Sequence, residues 1–142
     1  MNDTTAPANS TAGTVVELDA AGFESAISGH PLALVDFWAP WCAPCRAFAP
    51  VFAAAAARHP DILFAKVNTE EQQSLGAQFN IRSIPTLMIF RDDIIVYAEA
   101  GALPASALEQ VVTQAKALDM DAVRRQIAAE DAGDGASEAQ AS

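Results

Sequence analysis

The chain has 142 residues, 51% hydrophobic and 18% charged, which is one domain's length with enough apolar side chains for a sizeable core. Acidic residues outnumber basic ones 18 to 8, a net charge of -10, so nucleic acid and anionic membrane surfaces would repel it and neither is an expected partner. No run approaches the roughly 20 apolar residues of a membrane-spanning helix, and Met1 to Thr14 lacks the basic and apolar segments of a secretory signal, so the expected compartment is the cytoplasm.

Residues 1–14 are rich in Thr, Ala, Asn and Ser without periodicity and read as a disordered arm. Val15 to Leu18 is a short strand candidate. Asp19 can cap a helix that turns Phe23, Ala26 and Ile27 inward, and Gly29-His30-Pro31 ends it. Leu32 to Trp38 is an apolar run of the kind found in strands covered on both faces. Asp36 interrupts it, sharing a face with Leu34 and Trp38 because side chains alternate along a strand. A carboxyl group there either reaches solvent or a backbone donor, or is buried with a raised pKa and can exchange a proton near neutral pH.

Both cysteines lie in Trp41-Cys42-Ala43-Pro44-Cys45, where the apolar strand gives way to an alanine-rich helix reaching about His59. An exposed thiol at a helix N-terminus meets unpaired N–H groups and the positive end of the helix dipole, which favour the reactive thiolate. Cys45 follows about one helical turn later, close enough to close a disulfide. A zinc site would need about four ligands, and the histidines His30 and His59 fall in separate turns. An inert structural disulfide would close a loop too short to remove much unfolded-state entropy. A reactive dithiol is the preferred reading. Pro50 interrupts the helix, where a kink is expected.

Ile62 to Val67 is the second strongly apolar run and, joined to the first through a helix, its natural parallel neighbour. Lys66 is its one charge. Thr69 to Asn80 reads as polar chain with a short helix that turns Leu75 and Phe79 inward and ends at Asn80, which tolerates a left-handed cap. Thr86 to Phe90 and Ile94 to Ala98 form a hairpin around Arg91-Asp92-Asp93. Pro104 then opens a helix with an apolar stripe from Leu108 to Leu118. Residues 119–131 place Met120, Val123 and Ile127 on one face of an additional amphipathic helix, and 132–142 are an acidic low-complexity tail. The elements alternate as an α/β fold: a central mixed sheet of about five strands, parallel in the middle with an antiparallel hairpin edge, and helices on both faces.

The segment from Val35 to Cys45, with Ile81-Arg82-Ser83-Ile84-Pro85-Thr86-Leu87 and Gly101-Ala102-Leu103 downstream, resembles the thioredoxin family over residues 15–118. The resemblance implies the thioredoxin fold and reduction of protein disulfides, with Cys42 as nucleophile and Cys45 as resolving thiol. It also implies Asp36 as the buried proton acceptor for Cys45, with Lys66 near enough to tune it. A cis bond before Pro85 follows too, exposing the backbone of Ile84 to an extended substrate, with Gly101 as a small residue that lets the substrate chain approach. Trp41, Ala43, Pro44, Ile84, Pro85 and Gly101 are thus the candidate substrate-framing residues. No metal and no bound cofactor are implied; electrons would come from NADPH through a flavin-containing thioredoxin reductase. The expected partners are that reductase and disulfide-containing proteins, and the expected state is a monomer.

Two departures from the family stand out. Ala43 replaces the usual glycine between the cysteines, where residues help set the redox potential. Asp92 and Asp93 occupy a turn that often holds glycine, which leaves the hairpin geometry open. The rival from another class is a thioredoxin-like binding or chaperone module that makes its contacts through the added C-terminal helix. A third reading, an oxidant in an oxidising compartment, is disfavoured by the absence of an export signal.

Overall fold

The computed structural model describes the backbone of residues 12–141 and the side chains of residues 12–131. Most of the expected arm therefore lies outside the described residues. Five strands, β1 (Val15–Glu17), β2 (Leu32–Trp38), β3 (Leu63–Asn68), β4 (Thr86–Arg91) and β5 (Ile94–Ala100), form one sheet in the order β1-β3-β2-β4-β5. β1, β3 and β2 are parallel, while β4 runs antiparallel to β2 and β5 antiparallel to β4. The mixed sheet is as expected, and the helical connection between β2 and β3 is what allows them to run parallel.

Helices cover both faces. α1 (Ala20–Ser28) starts where Asp19 Oδ1 accepts from the Gly22 amide at 2.8 Å, the capping expected of it. α2 (Ala43–Arg58) and α4 (Ala105–Ala117) pack on one face against Leu34, Phe64 and Ile89 through Phe48, Phe52, Leu108 and Val112. α1 and the short α3 (Gln73–Gln78) pack on the other against Val35, Phe37, Ala65 and Phe90. β2 is buried along nearly its whole length because both its faces are covered. Each fully buried Phe or Leu contributes about 1.5–3 kcal/mol, so these two layers carry the stability that holds the strand ends in place.

The turn chemistry is specific. α3 ends at Gln78, and Asn80, at φ 55, makes the left-handed cap: its amide donates to Ala77 O and that of Ile81 to Gly76 O at 2.8 Å. Asp92 and Asp93 take φ values of 53 and 67, so the hairpin closes in a two-residue turn of the type glycine and asparagine favour. The hairpin forms despite the two aspartates. β5 skips Val96 in its pairing with β4, a bulge in an edge strand.

The added helix, α5 (Met120–Ala141), begins with Asp119 Oδ1 accepting from the amides of Asp121 and Ala122. It continues past Asp131 through residues 132–141, which the sequence reads as an acidic tail. Of its expected apolar face, Met120 is buried, Val123 half-buried and Ile127 exposed, so its N-terminal end is the part that packs.

Candidate active site

The site forms where β2 ends and α2 begins, at the carboxyl end of a central strand, where α/β sheets place their clefts. Cys42 and Cys45 are joined in a disulfide with their Cα atoms 5.2 Å apart. Cys42 is the residue immediately before the first helical one, and its Sγ accepts from the Cys45 amide at 3.2 Å. That amide is one of the four at a helix start with no partner inside the helix, so the sulfur occupies the position a capping oxygen would take. One expectation is corrected: the leading sulfur is not broadly exposed. Cys42 is 4% exposed and Cys45 2%, because Ala39, Trp38 and Ile84 pack against them. What is exposed is the rim, with Trp41 at 65% and Ala43 and Pro44 also in solvent.

The Ile84-Pro85 bond is cis, as the resemblance implies. The carbonyl oxygen of Ile84 lies 3.8 Å from Cys42 Sγ. Gly101 belongs to the same wall: its amide donates to Pro85 O at 2.8 Å, and its φ of +108 is a conformation that side chains with a Cβ rarely adopt. A Cβ built there would meet nothing within 4 Å, so the space above this residue is open. Of the residues the resemblance implies, Ile84 is thus packed on the disulfide, with Pro85 next to it and Gly101 bonded to Pro85.

In the strand that leads to the pair, Asp36 sits on the α2 face of β2, buried at 3% exposure, and among the described residues its Oδ1 has no hydrogen-bond partner. Burial pushes its carboxyl up to about 7, against a smaller opposing pull from Lys66. Lys66 is paired with Asp36 in the register of β2 and β3, yet its ammonium lies over the Trp38 ring, 4.6 Å from the centroid. No ion pair within 4.0 Å joins Lys66 to Asp36 among the described residues.

Two further residues went unnoticed as candidates in the sequence. Trp38 contributes both the ring beneath Lys66 and a buried Nε1 with no partner. Glu70 accepts from Trp41 Nε1 at 2.8 Å and so orients the exposed indole beside the disulfide. A faint signal existed for Glu70, because the loop after a parallel strand borders the cleft at the strands' carboxyl ends. Among the described residues no group of three or more His, Cys, Asp or Glu side chains could hold a metal ion.

A cysteine pair joined in a disulfide at a strand-to-helix turn, with the carbonyl before a cis-proline 3.8 Å from its leading sulfur and a buried acid of raised pKa in the strand that leads to it, defines a dithiol–disulfide exchange protein. Comparison with known proteins agrees. The thioredoxin family profile matches residues 14–114, and the chain belongs to the thioredoxin family. It is 47% identical over 119 residues to a thioredoxin 2 homologue of Streptomyces coelicolor, covering 84% of this chain and 89% of that protein. The thioredoxin of Porphyra purpurea is 41% identical over 103 residues, 71% of this chain and 96% of that one. Among solved structures, a point-mutant thioredoxin from Halobacterium salinarum superposes with a TM-score of 0.71 at 27% identity, over 76% of this chain and 96% of that one. The chain is accordingly a thiol–disulfide oxidoreductase that reduces protein disulfides through Cys42 and Cys45.

Proposed function

We propose that Cys42 is the nucleophile and Cys45 the resolving thiol. The Cys42 thiolate attacks one sulfur of a substrate disulfide, and the other leaves as a thiolate. Cys45 then attacks Cys42, the mixed disulfide breaks, and the second substrate thiol departs with the remaining electron pair. The observation that carries this reading is the 3.2 Å donation from the Cys45 amide to Cys42 Sγ at the start of a sixteen-residue helix. A hydrogen bond and a helix dipole aimed at that sulfur both favour its ionised form.

Asp36 accepts the proton of Cys45 in this scheme. A carboxyl with a pKa of about 7 can take a proton near neutral pH and return it, which an ordinary carboxylate cannot do efficiently. Lys66 tunes it from the neighbouring strand β3. Trp41, Ala43, Pro44, Ile84, Pro85 and Gly101 frame the substrate, and Ile84 offers its carbonyl to an extended chain. Reduction is restored by a flavin-containing thioredoxin reductase drawing on NADPH, a partner rather than a bound cofactor. We further place the protein in the cytoplasm as a monomer, where a reducing pool keeps the dithiol available between turnovers.

The test is insulin reduction by dithiothreitol with and without the protein. Cys42→Ser should lower the rate to that of dithiothreitol alone, and Cys45→Ser should accumulate a covalent adduct with the substrate through Cys42, visible on a non-reducing gel. Undiminished activity in Cys42→Ser would overturn the assignment. Iodoacetamide trapping against pH should place half-ionisation of the leading thiol below the roughly 8.5 of free cysteine.

A further inference from the structure

Resting on that disulfide-reducing role, we propose that this chain selects disulfides whose cysteine is flanked by a carboxylate, which Arg82 receives with Arg46 as a second cation. The basis is where the eight basic residues are engaged. Arg58 holds Glu109, Lys116 holds Asp61, and Arg124 holds Asp92 and Asp121. Arg91 donates to three backbone carbonyls near the end of α4, and Lys66 lies over Trp38. Among the described residues Arg46, Arg82 and Arg125 likewise have no carboxylate partner and, unlike Arg91 and Lys66, are exposed. Two of these three border the disulfide.

Arg46 is exposed on the first turn of α2, and its Nη1 donates to Pro40 O at 2.9 Å, two residues before Cys42. Arg82 is exposed two residues before Ile84 and donates from Nε to Asn80 Oδ1 at 3.3 Å. It lines a groove of about 350 Å³ that also takes in Trp41, next to Cys42 in the chain, and Ile84, which packs against the cysteines. The nearby carboxylates do not pair with it. Glu70, whose Oε2 accepts from the Trp41 indole, and Glu99, which shares an adjacent groove with Arg82, both keep their charge but neither makes an ion pair with Arg82 within 4.0 Å. On a molecule of net charge -10, a general field would repel an acidic partner, so an acidic preference at the site has to come from these local cations.

The geometry also sets a position. A substrate chain running beside Ile84 with its cysteine over Cys42 brings a residue within two positions of that cysteine opposite Arg82, since two extended residues span about 6.6 Å. The recognised feature is therefore a Glu or Asp within two residues of the reducible cysteine.

The test uses disulfide-bridged peptides identical but for Glu, Gln or Lys two residues before or after the cysteine, reduced by the fully reduced protein at low salt. The Glu peptides should be reduced about two- to fivefold faster than the Lys peptides, the range an exposed ion pair supports, and the difference should shrink in 0.5 M NaCl. Arg82→Gln should abolish the preference and Arg82→Glu invert it. Arg125→Glu makes the same change in net charge on α5, which packs at the hairpin tip through Arg124 and Asp92, and should leave the preference intact. Equal rates for Glu and Lys peptides, faster reduction of Lys peptides, or a loss of preference in Arg125→Glu matching that in Arg82→Glu would each overturn the proposal. Failure to reduce even the Gln peptides would instead strike at the disulfide-reducing reading beneath it.

Discussion

The two ends of β4 are built on opposite principles. At the hairpin tip, cations and backbone groups find partners: Arg91 Nη1 donates to Ala115 O at 2.6 Å and also to Lys116 O and Leu118 O. Arg124 bridges Asp92 and Asp121 there. At the other end, beside the disulfide, lie Asp36 Oδ1 and Trp38 Nε1, the two buried side-chain polar atoms without a partner among the described residues. Buried polar groups are paired in the great majority of cases, and each unpaired one costs roughly 1–3 kcal/mol. The contrast teaches that the site end is held at a thermodynamic loss. A carboxylate satisfied by donors would sit at an ordinary pKa and could not take up a proton near neutral pH, so its isolation and its proposed role are the same property.

The largest way to break this contrast is Asp36→Ala. The carboxyl's folded pKa, about 7, is raised above its unfolded value, 3.8, so between those pH values the folded state binds more protons than the unfolded. Stability therefore falls as pH rises from about 4 to 7 and is flat above and below that window, as far as this group is concerned. Removing the group should stabilise the oxidised protein by about 2–4 kcal/mol at pH 8, with the gain disappearing near pH 4. Guanidinium unfolding of both proteins at several pH values measures it. The same variant should resolve mixed disulfides more slowly, on the order of tenfold or more for loss of a positioned base. Equal stability of wild type and variant at pH 8 would mean the carboxylate is satisfied after all.

The well-paired end can be broken in the opposite direction. Arg91 places a cation among the carbonyls at the end of α4, where the helix dipole is negative and, of its acceptors, Ala115 O also takes the Leu118 amide at 3.5 Å. Arg91→Ala should destabilise the protein by about 1–3 kcal/mol, and Arg91→Lys should recover only part, because one ammonium cannot reproduce the reach of the guanidinium. Insulin-reducing activity should be retained in the folded variant, since no site residue touches Arg91.

How much of this was legible in the sequence follows from what kind of signal each feature leaves. β2 and β3 are apolar runs with one charge each, and the cysteine pair with Ile84-Pro85 and Gly101 marks the reactive end in a few local motifs. Asp36 could be suspected as a charge inside such a run. The pairing of Trp41 with Glu70 spans 29 residues and depends on two rotamers, which no periodicity encodes. The same holds for Arg91, whose acceptors lie 24 to 27 residues away. Nor does a motif report depth: the 4% exposure of Cys42 emerges only when Trp38, Ala39 and Ile84 are packed in space. The helical course of 132–141 had no amphipathic pattern to announce it.

The smallest expected effect sits in the turn that joins β4 to β5. Asp92 and Asp93 both lie in the left-handed region, where a residue with a Cβ carries a cost that glycine does not. They are not equivalent, because Asp92 also receives Arg124 at 3.4 Å while Asp93 makes no ion pair among the described residues. Asp93→Gly should therefore stabilise the fold by about 0.5–1 kcal/mol, the relief of the left-handed conformation less the extra freedom glycine gives the unfolded chain. Asp92→Gly gains the same relief but loses the ion pair, so it should gain less. Thermal unfolding of the two variants at neutral pH separates them, and the difference should narrow at high salt, where the exposed pair is screened. A destabilised Asp93→Gly would show that the aspartate itself anchors the turn, and would extend the thorough pairing of this end of the sheet to its last two residues.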